Sequence, residues 1–167
     1  PNNLQTSFAN FQGIECFGDC TGNFEVNVNG GTAPYSFTWD NGASGNSQTN
    51  LCAGTYNATI IDAEQCVIHQ HVVITQPDSL YTNIDSEDPI MCHGETTDLS
   101  ANVFGGTQPY SLEWNTGISG YNLENTGAGT YYITAVDSYG CEAFDSIVIT
   151  QPDALLYQDT VRNMICT

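Results

Sequence analysis

Histidine is the side chain best suited to carrying a proton near neutral pH, and this chain has three: His69, His71 and His93. In "VIHQHVVI" the first two alternate, so on a strand they share one face and, with a third ligand, could hold a metal ion. Hydrolysis demands more, namely a nucleophile, a base and an orienting group that converge in one pocket. None of the histidines recurs when the chain is laid against itself. The segments that do recur contain neither a glycine-rich phosphate loop nor paired carboxylates. The expectation is a protein that is not an enzyme, with its histidines at the surface. Asp85, Glu87 and Asp88, in "IDSEDP", supply the oxygen atoms that calcium prefers. The corresponding stretch earlier in the chain, "FANFQGIE", lacks such a cluster. A solvated acidic turn is therefore expected, with calcium as the alternative and no other cofactor.

Cysteine is the other reactive residue. Seven of them (Cys16, Cys20, Cys52, Cys66, Cys92, Cys141 and Cys166) in 167 residues point to an oxidising compartment and to disulfides, with one cysteine left over. Only Cys16 and Cys20 lie close together, and no second pair follows at zinc-ribbon spacing, so a thiolate zinc site is not expected.

Charge excludes whole classes of partner. The formal net charge is −18, Arg162 is the only basic side chain apart from the histidines, and nothing is available to neutralise phosphate, so neither nucleic acid nor an anionic membrane is an expected partner. No apolar run approaches the roughly 20 residues of a membrane span, and the first residues lack the basic and apolar parts of a signal peptide. Charged residues make up only 12% of the chain, which leaves a surface of Asn, Thr, Ser, Gln and Gly suited to short strands and turns.

The elements that must position these residues come in two copies. "GGTAPYSFTW" from Gly30 returns as "GGTQPYSLEW" from Gly105, and "AGTYNATIIDAEQC" from Ala53 returns as "AGTYYITAVDSYGC" from Ala128, each 75 residues later. "VITQPDSL" (from Val73) becomes "VITQPDAL" (from Val148), and Cys16 answers to Cys92 at a displacement of 76. Pro1 and Leu4 match Pro77 and Leu80, and Cys166 matches Cys16 and Cys92. The organisation expected is a first repeat at 1–77, a second at 78–152 and the first strand of a third at 153–167, a piece of a longer tandem array cut in register.

Within each repeat apolar residues alternate: Phe24, Val26 and Val28; Tyr35, Phe37 and Trp39; Tyr56, Ala58 and Ile60. The second repeat follows with Leu99, Ala101 and Val103; Tyr110, Leu112 and Trp114; Tyr131, Ile133 and Ala135. Period two means half-buried strands, and six or seven of them in about 75 residues form a small sandwich. Trp39 and Trp114 on the third strand, with Tyr56 and Tyr131 opening the strand after "AGT", match the buried tryptophan and tyrosine corner of immunoglobulin-like sandwiches. The predicted fold is all-β, tandem immunoglobulin-like β-sandwich modules, with these four aromatics in the core.

A sandwich this small gains from a covalent staple. Cys20 and Cys52 lie in turns at the same predicted end of the first repeat and are expected to pair. Pairing Cys16 with Cys66 and Cys92 with Cys141 would make each repeat self-sufficient and is mildly preferred. Against it, the two cysteines of a repeat fall at opposite ends of the sandwich, which leaves Cys16 with Cys141 as the alternative. Cys166 then awaits a partner outside the segment.

The succession of a cysteine, a short glycine-containing turn, "GGT.PYSF.W", "AGTY", "D...C" and "VITQP" resembles the SprB-type repeat of Bacteroidota cell-surface adhesins, including those of gliding motility, and the resemblance covers nearly the whole chain. It implies export by type IX secretion, a very long cell-surface protein and adhesion. One departure is Gln65 where the second repeat has Gly140, which puts the turn type there in question. The resemblance also directs attention to O-glycosylation at Asp-Ser/Thr-apolar triplets: Ser79, Ser146 and Thr160 fit, and Asn57 carries the N-glycosylation pattern.

Three functions fit these observations. The repeats could be spacers and adhesive modules of a long extracellular protein, touching neighbouring repeats of the same chain. They could self-assemble into an extracellular filament through strand edges or an open thiol. Or an exposed aromatic face, with Tyr121 and Tyr132 of the second repeat, could bind surface glycans. The first is the preferred reading.

Overall fold

Residues 3–156 are described by a computed structural model; Thr160 and Cys166 lie outside the described residues. Among the described residues every regular element is a strand, twelve in all. The first repeat supplies β1 (Gln5–Gln12), β2 (Gly22–Asn29), β3 (Ser36–Trp39), β4 (Ser47–Leu51), β5 (Gly54–Ile61) and β6 (Val67–Ile74). They form two antiparallel sheets, ordered β1-β2-β4 and β3-β5-β6. The second repeat supplies β7 (Tyr81–Ser86), β8 (Thr97–Phe104), β9 (Ser111–Trp114), β10 (Asn122–Thr126), β11 (Gly129–Val136) and β12 (Glu142–Ile149) in the same order, β7-β8-β10 and β9-β11-β12. The first, second and fourth strands face the third, fifth and sixth, which is the immunoglobulin-like arrangement. Residues 153–156 carry no strand pairing, and the rest of the expected third-repeat strand lies outside the described residues.

Alternation is what closes each sandwich. Side chains two apart on a strand share a face, so "GNFEVNVN" buries Phe24 and Val26 while Asn27 stays in solvent. Phe24 meets Trp39 at 5.2 Å between ring centroids and Tyr56 at 6.5 Å, and Ala58, Ile60, Val72 and Ile74 complete that core. In the second repeat Leu99, Ala101, Leu112, Trp114, Leu123, Ile133, Ala135 and Ile149 are buried in the same strands.

The repeated tryptophans are buried and the repeated tyrosines half-buried, with their polar tips satisfied. Trp39 and Trp114 are 2% and 1% exposed, and their indole N–H groups donate to the carbonyls of Gly45 (2.9 Å) and Gly120 (3.0 Å). The Tyr56 hydroxyl donates to the Cys52 carbonyl at 2.9 Å and Tyr131 to the Gly127 carbonyl at 3.1 Å, the tyrosine corners expected from "AGTY". Tyr35 and Tyr110 close the Gly-Gly turns by donating to Gly30 (2.7 Å) and Gly105 (2.6 Å). A buried ring whose N–H or O–H also ties down a turn links local backbone geometry to the core.

By Cα proximity the chain divides into two compact units. One holds the residues up to Tyr81 together with Phe104–Tyr110 and Val136–Glu142; the other holds Thr82–Val103, Ser111–Ala135 and the residues from Ala143. Two turns of the second sequence repeat thus count with the first unit. Core truncation should therefore be costly where a ring bridges sheet and turn. Trp114→Ala is expected to lower the unfolding free energy by about 3–5 kcal/mol. Tyr131→Phe, which removes only the hydroxyl, is expected to lower it by about 1 kcal/mol. Urea denaturation followed by circular dichroism measures both.

Candidate functional site: a carboxylate-centred turn and its cysteine

The turn between the last two strands of each repeat is built around one buried aspartate. Asp62 follows β5 and is 3% exposed; Asp137 follows β11 and is 6% exposed. Each carboxylate accepts three backbone N–H groups. For Asp62, Oδ1 takes Glu64 (2.9 Å) and Cys66 (2.8 Å), and Oδ2 takes Thr32 (3.0 Å). For Asp137, Oδ1 takes Tyr139 (2.9 Å) and Cys141 (3.0 Å), and Oδ2 takes Thr107 (2.9 Å). One side chain thus shapes its own turn and ties it to the Gly-Gly-Thr turn 30 residues earlier. The backbone N–H of Thr32 is the main cause that holds the Asp62 carboxyl below the usual carboxylate range. At Asp137 burial pushes the other way, and the N–H groups of Thr107, Cys141 and Tyr139 outweigh it.

The substitution of glutamine for glycine in this turn makes no difference to its geometry. Gln65 and Gly140 both have positive φ, 67° and 85°, and their N–H groups reach the Asp62 and Asp137 carbonyls at the same 3.1 Å. The aspartates are the residues to which the sequence analysis assigns no role. The signal was present: an Asp four positions before a Cys in both copies.

What the carboxylate turn presents is a cysteine. Cys141 is joined to Cys16, with 5.7 Å between the α-carbons, and both belong to the first compact unit. Cys20 is joined to Cys52. The preferred same-repeat pairings are corrected here: Cys16 is not joined to Cys66, nor Cys92 to Cys141, and among the described residues Cys66 and Cys92 are unpaired and exposed. Reach is the reason. Cys66 follows the far end of β5, whereas Cys16 lies beside the near end, where the Ile14 N–H donates to Thr75 beyond β6. Eight residues of strand separate them, about 26 Å at roughly 3.3 Å per residue, and a disulfide spans less than about 7 Å between α-carbons.

Other predicted site residues do not assemble into a centre. His69 and His71 are exposed on β6, the former 3.2 Å from the Thr59 hydroxyl. The Asp85 carboxylate is taken by the side-chain amides of Asn83 (3.2 Å) and Asn102 (2.9 Å). Glu87 and Asp88 are exposed, and among the described residues no three of His, Cys, Asp and Glu converge as metal ligands. Tyr121 and Tyr132 are about half exposed, but one precedes β10 and the other lies on β11, in different sheets, so they do not form one stacking platform. Ser79 and Ser146 are exposed.

Strand order, buried indoles and tyrosine corners define a protein built of immunoglobulin-like β-sandwiches. More particularly, residues 9–44 match the family model of the SprB repeat. This match runs from β1 to just past β3, a shorter stretch than the resemblance read along the whole chain. No curated protein is significantly similar to the chain. Among solved structures, a C-terminal fragment of intimin in complex with the translocated intimin receptor is 12% identical, with 89% of this chain and 64% of that one covered and a TM-score of 0.46. The ectodomain of mouse nectin-like molecule 4 is 14% identical over 94% of this chain and 67% of that one, TM-score 0.43. A structure concerned with Dscam isoform specificity is 17% identical over 89% of this chain, TM-score 0.39, and the chain spans 46% of its length.

Two outcomes follow from this site. A carboxyl with a lowered folded pKa stabilises the fold above its unfolded value near 3.9, and that contribution disappears as pH falls through the folded value. The melting temperature should therefore hold between about pH 7 and 5 and fall below about pH 4. Asp137→Asn, whose NH2 must face a backbone N–H, should melt roughly 5–10 °C lower at pH 7 and lose part of the acid dependence. Calorimetry across pH reads both. Separately, Cys141→Ser removes a 125-residue covalent loop, for which the chain-entropy argument gives a loss of up to roughly 5 kcal/mol, measured by denaturant unfolding without reductant.

Proposed function

We propose that the chain is a non-catalytic structural and adhesive segment of a larger extracellular protein displayed at the cell surface. The observation that carries this reading is where the repeated polar residues go. Asp62 and Asp137, Tyr35 and Tyr110, Trp39 and Trp114, and Tyr56 and Tyr131 all hydrogen-bond to backbone groups of turns in their own repeat. What the two copies share is thus committed to holding a scaffold, and repetition of a scaffold makes length and display. The SprB repeat at 9–44 supports the surface setting, and the disulfides fit an oxidising compartment. Among the described residues no helix is long and apolar enough to cross a membrane. Recognition would then fall to exposed side chains that differ between copies, such as Phe8 and Phe11 in one and Phe144 in the other.

Antibodies against the folded chain test this reading. They are expected to label intact, unpermeabilised cells of the source organism, with the label lost after protease treatment of the cell exterior. Their Fab fragments are expected to reduce attachment of the cells to surfaces. Labelling that requires permeabilised cells would contradict the proposal.

A further inference from the structure

We propose that Cys66 and Cys92 are half-sites of further disulfides to other repeats of the same kind. Cys66 would receive the cysteine that answers to Cys16, and Cys92 the one that answers to Cys141. This rests on reading the chain as part of a repeat array.

Each unpaired cysteine is held as its bonded counterpart is. Cys141 and Cys66 both donate their N–H to a buried aspartate, at 3.0 and 2.8 Å, and their carbonyls accept from the same aspartates' N–H at 3.0 and 3.1 Å. Cys16 and Cys92 both open a turn, their carbonyls accepting from Asp19 (3.2 Å) and Glu95 (3.3 Å). Two residues further on, the N–H groups of Gly18 and Gly94 both donate to a glutamine of the following "TQP", Gln76 and Gln151, at the same 2.9 Å.

The surroundings repeat as well. Around the bonded pair, Leu80 packs on Gly106 so closely that an added β-carbon would sit 2.8 Å from it and 2.9 Å from the Asp137 carboxylate. At Gly31 the corresponding distances are 2.8 Å to Leu4 and 2.8 Å to Asp62. Gly106 also donates to the Asp78 carbonyl at 2.9 Å, and at Gly105 an added β-carbon would collide with the Ser79 carbonyl. Leu155 is the next leucine in this series, after Leu4 and Leu80, and it is fully exposed. It borders a cavity of about 480 Å³ lined by Met91, Cys92, His93 and Pro152. A cavity of about 560 Å³ next to Leu4, Gly31 and Asp62 holds Cys66. The occupant that fits beside Leu155 is a Gly-Gly-Thr turn with its Asp and Cys, the group that Leu80 already meets. The occupant that fits beside Cys66 is a turn like that of Cys16.

Bond formation takes one hydrogen from each thiol. The two electrons and two protons pass to a disulfide oxidant, which departs as two thiols. Glutathione disulfide serves in the test.

Two copies of the chain are joined so that Gln151 of the first runs into Pro1 of the second, which preserves the "TQP" register. Cys66 of the second copy then follows Cys92 of the first by 125 residues, the separation of the Cys16–Cys141 bond. Cys66→Ser in the first copy, with Cys92→Ser and Cys166→Ser in the second, leaves that pair as the only thiols outside the observed bonds. After oxidation, monomeric protein is digested at acidic residues and mapped without reduction. The expected result is a peptide linking Cys92 to Cys66 and loss of iodoacetamide uptake at both. In the single unfused chain both remain alkylated. The proposal is overturned if both stay alkylated in the fused protein while Cys16–Cys141 is present, or if Cys16–Cys141 is itself missing. Cell-surface labelling is indifferent to this readout, so failure here and failure of the surface assignment are distinguishable.

Discussion

A buried carboxylate that must find hydrogen-bond donors dictates the form of each repeat at one end. Asp62 and Asp137 are nearly inaccessible to water, and an ionised group there is tolerable only because three backbone N–H groups converge on it. Those donors come from two turns distant in sequence, so neither turn is free to move without stranding a charge. The cysteine at the end of the turn inherits that rigidity, because its own N–H is one of the donors.

The rest of the repeat is arranged around this constraint. Thr32 and Thr107 can approach the carboxylate because the preceding Gly31 and Gly106 have positive φ, 65° and 57°, and no side chain, which leaves room for Leu4 and Leu80. Tyr35 and Tyr110 fasten the start of the same turn. Behind them the indoles and the tyrosine corners fix the remaining turns to the core, so repeated residues that look scattered in sequence serve one connected scaffold.

Most of this fold could be read from the residues, since period-two alternation and a 75-residue self-match need no tertiary knowledge. Trp39, Trp114, Tyr56 and Tyr131 were legible because large aromatics with one polar atom take few positions in a small sandwich. Cysteine pairing was legible only in part. That the two cysteines of a repeat fall at opposite ends of the sandwich could be seen from strand order, yet the appeal of a self-contained repeat weighed against it. The carboxylate's role was hidden for a different reason. Asp before a turn is common, and only coordinates distinguish a solvated turn former from a side chain that gathers three N–H groups across 30 residues. Local motif and long-range hydrogen bond look identical in one dimension.

The repeated aspartates, tyrosines and tryptophans are bound to the backbone of their own repeat, and several of the exposed aromatics differ between copies. The most direct measurement of the underlying claim is an NMR titration of the Asp62 and Asp137 side-chain carboxyl carbons in the intact chain. Both are expected to titrate below the ordinary aspartate value of about 3.9, with the amide signals of Thr32, Cys66, Thr107 and Cys141 shifting in the same step. Titration of either carboxyl at or above that value, or amide signals indifferent to it, would contradict the account.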